Sequence, residues 1–199
     1  MFPSSYIRIC FIGLLILAFS CSSENDNKKP SIATNTELLR AIRMMDYDRV
    51  NSLISIGADV TFRDEFGSDA LYYSVVYPRT EIFQLILTKA PKLNSVYEEH
   101  KNILHIAIES GLEEKGYFSI IEALINSNVE INLQDDHGNT PLWYACTYYI
   151  VNRQTIKLLL EKGPDMYLIN KYGRSTYSAA KENNRKELLE ILEQYRNKN

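Results

Sequence analysis

An apolar residue recurs along this chain at Leu38, Leu71, Leu104, Leu142 and, more weakly, Tyr177, at spacings of 33, 33, 38 and 35 residues. A period of this length constrains the fold more than any single motif, because it marks one small supersecondary unit repeated along the chain. Each reference residue opens the same short pattern: Leu38/Ala41/Ile42, Leu71/Ser74/Val75, Leu104/Ala107/Ile108 and Leu142/Ala145/Cys146. The i, i+3, i+4 spacing places these residues on one stripe of a helix. A second stripe follows in each unit: Val50/Leu53/Ile54, Ile82/Leu85/Ile86, Ile121/Leu124/Ile125 and Ile156/Leu159/Leu160. Helices this short are marginal alone, so each must bury its stripe against the neighbouring unit.

The punctuation recurs as well. Units close on Gly57-Ala58-Asp59, Ala90-Pro91, Asn128-Val129-Glu130 and Gly163-Pro164-Asp165. The first position needs a left-handed backbone at a helix end, which Gly takes freely and Asn tolerates, so Ala90 fits poorly. Asp64, Asp135 and Asn170, each with Gly three residues later, suit tight turns between units. Thr140-Pro141 suits a helix start, with Thr as cap and Pro in the first turn. The excess over 33 residues falls in connectors, at Leu112–Gly116 and around Thr147–Asn152.

The span Asp135 to Asp165, DDHGNTPLWYACTYYIVNRQTIKLLLEKGPD, resembles one ankyrin repeat almost from end to end. Asp135, Gly138, Thr140, Pro141, Leu142, Ala145, Ile156, Leu159 and Gly163 stand where the family pattern D-x-x-G-x-T-P-L-H-x-A-A…V-x-x-L-L-x-x-G-A-D wants them. The resemblance covers about 160 of 199 residues. It implies an all-α ankyrin-repeat solenoid of about five helix–turn–helix units with hairpin-like turns between them. The terminal units act as caps: the first carries Arg40, Arg43, Asp46 and Asp48, and the last ends in KENNRKELLEILEQYRNKN. An ankyrin repeat has no chemistry of its own, so the implied function is to hold a protein partner.

The N-terminus bears on location. Ile7 to Phe19 is an apolar run interrupted only by Arg8 and Gly13. It is short of the ~20 residues that span a bilayer, which favours a signal-peptide core over a membrane helix. The run ends at Leu17-Ala18-Phe19-Ser20-Cys21 and is followed by SSENDNKKPS. This resembles a bacterial lipoprotein signal, in which Cys21 becomes the acylated first residue of the mature chain. The match departs from the family in one respect, since Ala18 holds the place usually given to Leu. The expected organisation is residues 1–20 as signal peptide, 21–33 as lipidated N-terminus and flexible tether, and 34–199 as repeat domain. The tether spans about 20 Å root-mean-square. The expected location is the bacterial envelope, lipid-anchored at the outer membrane and facing the periplasm, with a soluble periplasmic or surface-exposed protein as alternative.

Of three Cys, Cys10 leaves with the signal and Cys21 carries lipid, so Cys146 stands alone at a core position. Without residues 1–20 the chain has 21 basic and 25 acidic side chains, a net −4 that argues against a basic nucleic-acid surface. His105 occupies the His of T-P-L-H, a structural turn position. His100 and His137 fall near turn tips beside Glu98, Glu99, Asp135 and Asp136, a set with zinc-binding chemistry but no spacing that imposes a metal site. G-x-S-x-G, H-E-x-x-H, Walker and G-x-G-x-x-G patterns do not occur. No cofactor, metal or catalytic residue is expected.

A binding surface remains. In this family the concave face is built from turn tips and the exposed side of the first helices. Carried across, those positions give Glu65, Phe66, Tyr77, Glu98, Glu99, Glu109, Asp136, His137, Tyr148 and Tyr172 as candidate partner contacts. Aromatics among charge have the composition of interface hot spots. The expected molecule is a monomeric, non-enzymatic protein-binding module, its partner a resident envelope protein or a toxin held as by an immunity protein. The alternative is an accessory factor supporting a periplasmic enzyme, such as an oxidative-stress enzyme.

Overall fold

The computed structural model describes residues 31–90, 93–111, 117–147 and 153–196. Among them ten α-helices form five stacked helical hairpins with no strand, an all-α repeat solenoid, and a 3-10 turn spans Glu98–His100. The pairs are α1 (Ile32–Arg43) with α2 (Tyr47–Ser55), α3 (Ala70–Val76) with α4 (Thr80–Lys89), and α5 (Ile103–Ser110) with α6 (Tyr117–Asn126). Then come α7 (Pro141–Thr147) with α8 (Arg153–Glu161), and α9 (Thr176–Glu182) with α10 (Lys186–Tyr195). Cys21 and Tyr148 lie outside the described residues, as do residues 112–116 and 148–152 in the connectors that lengthen the repeat period.

The periodic stripes are the core. Leu38, Leu71, Leu104 and Leu142 are all buried, as are Ala41, Ala107 and Ala145 one turn later. Small residues at that position let the first helices pack closely side by side. Ser74 replaces Ala there and satisfies its hydroxyl by donating to the Leu71 carbonyl at 2.8 Å. The second helices bury Val50, Ile82, Leu124 and Leu159 completely. In the last unit Tyr177 is only half-buried, and its hydroxyl donates to Glu193 at 3.1 Å.

Thr140 caps its helix as the sequence suggests, Asp46 and Asp69 cap theirs, and α4 and α10 start without a side-chain cap. Asp46 accepts from the Arg49 amide at 3.0 Å, Asp69 from Tyr72 at 3.0 Å and Thr140 from Trp143 at 3.2 Å. Gly57, Asn128 and Gly163 take left-handed backbone at their unit ends, with φ of 92°, 59° and 70°. Ala90 does not: at φ −75° and ψ 113° it leaves its helix extended, because a Cβ makes the left-handed alternative costly. One boundary differs from expectation. Helix α1 starts at Ile32, with the Ser31 hydroxyl accepting from the Thr34 amide at 3.2 Å, so the last residues of the expected tether are helical. No described helix is long and apolar enough to cross a membrane.

Candidate functional site: a groove between the turns and the first helices

The turns entering the second to fifth units share one backbone plan. Asp64, Tyr97, Asp135 and Asn170 each donate an amide to the carbonyl four residues on, at 2.8 to 3.0 Å. Gly67, His100, Gly138 and Gly173 each donate to the carbonyl three residues back. All four of these third residues have positive φ, which Gly takes at no steric cost and His100, at 57°, does not. In the second and fourth turns an acid organises the loop. The Asp64 carboxylate accepts the amides of Phe66 and Ser68 and the Tyr73 hydroxyl at 2.6 Å. Asp135 repeats this with His137, Asn139 and the Tyr144 hydroxyl at 2.7 Å.

The third turn reaches the same shape by other means. Tyr97 stands where the others have Asp or Asn, and its hydroxyl donates back into the second unit, to Asp69 at 3.0 Å. Arg63 lies over the Tyr97 ring, 5.1 Å from its centroid, and donates to the Val96 carbonyl at 3.0 Å. Lys101, buried to 8 % exposure, lies 2.7 Å from Glu99 and 3.0 Å from Glu109, over the Tyr144 ring. Burial pulls its ammonium pKa down, but the hydrogen bonds to Glu99 and Glu109 outweigh it, leaving the pKa above the ordinary lysine value. The same contact with Lys101 holds the Glu99 carboxyl below its usual range.

Around Lys101 the turns and first helices enclose a hollow of about 320 Å³, lined among others by Glu99, Glu109, His137, Trp143, Tyr144 and Tyr172. Tyr172 stacks on His137 with 19° between rings, and His137 Nε2 is 3.8 Å from Glu99. Two repeats away, between α1 and α3, a hollow of about 610 Å³ is walled by Leu39, Met44, Phe66, Tyr73 and Tyr77 with Arg40, Arg43, Asp64 and Glu65. Arg43 lies 5.6 Å over the Tyr73 ring. Phe66 and Met44 are 77 % and 68 % exposed, large apolar side chains left in water.

The candidate contacts therefore fall into two groups. Glu65, Phe66 and Tyr77 line the N-terminal hollow; Glu99, Glu109, His137 and Tyr172 line the central one. Glu98 and Asp136 are exposed on turn tips and line neither. The acidic middle is not uncompensated, since Lys101 sits between two of its carboxylates. Lys101 is a concave-face position by the family pattern, and its pairing with the acids has a signal of its own. Lys101 and Glu109 are eight residues apart, and Arg174 with Glu182 repeats that spacing one position for one in the fifth unit, at 3.0 Å. The partnership of Tyr97 with Asp69 has no such recurrence.

The remaining chemistry-bearing residues have structural surroundings. His105 is fully buried and completes a capping box: Asn102 accepts its amide at 3.2 Å, and its Nδ1 accepts the Asn102 amide at 3.3 Å. Its Nε2 donates to the Asn139 carbonyl at 3.2 Å, tying the third unit to the fourth turn. Burial pushes its pKa down to about 4. Burial likewise pushes the Cys146 thiol up to about 12, so it packs rather than reacts. Among the described residues no three His, Cys, Asp or Glu side chains are grouped to hold a metal ion.

Comparison with known proteins agrees with the geometry. The family of ankyrin repeats (3 copies) matches residues 112–199. The ankyrin repeat protein YahD of Escherichia coli (strain K12) is 29 % identical over 161 residues, covering 79 % of this chain and 78 % of that protein. The ankyrin repeat protein FPV034 of fowlpox virus (strain NVSL) is 30 % identical over 135 residues, 68 % of this chain but 30 % of its own length. OPG189 of variola virus is 29 % identical over 146 residues, 73 % of this chain and 24 % of its own. The chain thus spans less than a third of each viral relative.

Proposed function

From a chain built as an ankyrin-repeat solenoid, we propose a non-enzymatic protein-binding module that holds its partner along the groove between the turns and the first helices. The groove itself carries this reading. It presents exposed Phe66 and Tyr172, half-buried Tyr77 and flanking charge in two hollows between turns and first helices, while the apolar stripes are spent on stacking. Aromatic side chains that bury in a partner supply affinity, and the charges around them set approach and specificity. We further propose that the chain is tethered in a bacterial envelope by lipid on Cys21, supported by the apolar run Ile7–Phe19 and the polar stretch after Cys21. The partner on this reading is an envelope protein or a toxin held inactive.

Capture from envelope extracts with the full chain, followed by alanine variants, tests the surface. Tyr77→Ala should weaken the captured partner by about 1–3 kcal/mol without unfolding the domain, whereas Lys157→Ala on the second-helix side should do little. The reverse outcome would move the binding face. Cys21→Ser should release the protein from membranes or leave it unprocessed; fractionation like wild type would remove the lipid anchor.

A further inference from the structure

Resting on the groove as the binding face, we propose that it takes an extended segment of the partner with an apolar side chain for the N-terminal hollow and a lysine or arginine for the central one. The two hollows, each between turns and first helices, differ in chemistry. The first is walled by Leu39, Met44, Phe66, Tyr73 and Tyr77, with Phe66 and Met44 largely in water. Its arginines and acids balance, and Asp64 is already engaged by the Tyr73 hydroxyl and two amides. What this hollow offers is apolar area, so an apolar side chain gains most by entering it.

The central hollow offers charge and an aromatic face. Two carboxylates, Glu99 and Glu109, face one ammonium, Lys101, and Tyr172 presents a ring that is 68 % exposed. Glu98 and Asp136 stand on the adjoining turn tips in no ion pair among the described residues. The Tyr72 hydroxyl, on α3, is held above the ordinary tyrosine pKa first by burial and then by Glu98 and Glu109. A basic side chain entering here meets carboxylate oxygens and an aromatic face, whereas an acidic one meets repulsion. The hollows lie between α1 and α3 and between α5 and α7, two repeats apart. With packed helices 8–10 Å apart, that is about 20 Å, the reach of roughly six extended residues.

A displayed library of random peptides selected on the immobilised full chain tests this directly. The expected winners pair an aromatic or aliphatic residue with Arg or Lys about six positions away. On such a peptide, Phe66→Ala and Tyr172→Ala should each weaken binding about tenfold, and Glu109→Gln should do so in low salt with less effect as salt rises. Tyr172 and Phe66 are exposed, so these variants should keep the wild-type circular dichroism spectrum and melting point. Enrichment of nothing beyond bare resin, of acidic peptides, or of peptides without that spacing would overturn the proposal. So would winners indifferent to all three substitutions. If a captured partner is weakened by Tyr77→Ala while the peptides show no apolar–basic pairing, the binding face stands and the segment is wrong. If neither responds, the face itself is wrong.

Discussion

The turns entering the second and fourth units are built alike and held differently. Each has an Asp accepting two amides and a tyrosine hydroxyl, and each has a Gly with φ near 75°, at 73° and 77°. The fourth turn is also laminated on both sides. Its Asp136 amide donates to the Glu99 carbonyl at 2.8 Å, and its His137 carbonyl accepts the Lys171 amide at 2.9 Å. No such rung joins the second turn to the third among the described residues; side chains at its base, Arg63 and Tyr97, make the link instead. Space reports the same contrast. A Cβ on Gly138 would lie 2.9 Å from the Asn170 Cα, while one on Gly67 would meet nothing within 4 Å.

The difference coincides with Tyr97. By turning back to Asp69 it binds the third turn to the unit before it through a side chain, and the backbone rung is not formed at that seam. Fewer backbone hydrogen bonds mean a lower cost of local opening. The wall of the central hollow is thereby fixed, and the Phe66 wall of the N-terminal hollow is held mainly by its own turn.

If the contrast is confined to the turns, the helices beneath should not feel it. Leu71 and Leu142 occupy the same place in α3 and α7 and are 3 % and 0 % exposed. Leu71→Ala and Leu142→Ala should each cost about 2–5 kcal/mol in chemical denaturation, the largest effects expected. Clearly unequal losses would mean that the two halves differ in the core as well.

Titration should separate the same regions. His105 joins α5 to the fourth turn, and the second unit has the hydroxyl of Tyr72 at that position. Its folded pKa of about 4 lies below the unfolded value near 6.5. The unfolded chain therefore binds the extra proton first. The contribution is complete above pH 6.5, is lost as pH falls toward 4, and amounts to ~3 kcal/mol at most. Melting curves of wild type and His105→Gln across that window should converge as the acid side is approached. Parallel curves would mean that His105 is not held neutral.

Much of this was legible in the sequence, and for a physical reason. The stripes at Leu38, Leu71, Leu104 and Leu142 repeat because every unit buries the same face against the same kind of neighbour. Asp64 and Asp135 were legible as turn residues because their bonds are local. The partners of Tyr97 and Lys101 were not, because they are set by the neighbouring unit or by charge balance. Asp69 lies 28 residues from Tyr97, at no period of the repeat. The candidate acids were placed by repeat position, which names Glu99 and Glu109 but does not reveal that one buried ammonium lies between them.

Two substitutions at glycine address the lamination itself. Gly67→Ala should cost only the left-handed strain, ~1–2 kcal/mol. Gly138→Ala adds overlap with the fifth turn and should cost about 2–4 kcal/mol. Equal costs by denaturant titration would show that the fourth turn yields as readily as the second.

The smallest effect has the opposite sign. The third turn carries His100, with φ 57°, where the other three carry Gly, and His100 is exposed. Its main chain makes the turn's own bond, donating to the Tyr97 carbonyl at 3.1 Å, and that bond does not need the imidazole. His100→Gly should thus relieve left-handed strain while giving the unfolded chain more freedom, a net gain of ~0.5–1 kcal/mol. The neighbouring Glu99, also left-handed at φ 56°, is different, because its carboxylate is bound to Lys101 and its carbonyl accepts the Asp136 amide. Glu99→Gly should therefore fail to stabilise although the backbone strain is the same. If both changes stabilise alike, Lys101 contributes nothing to the third turn. If His100→Gly destabilises, the imidazole supports the turn through a contact beyond its backbone.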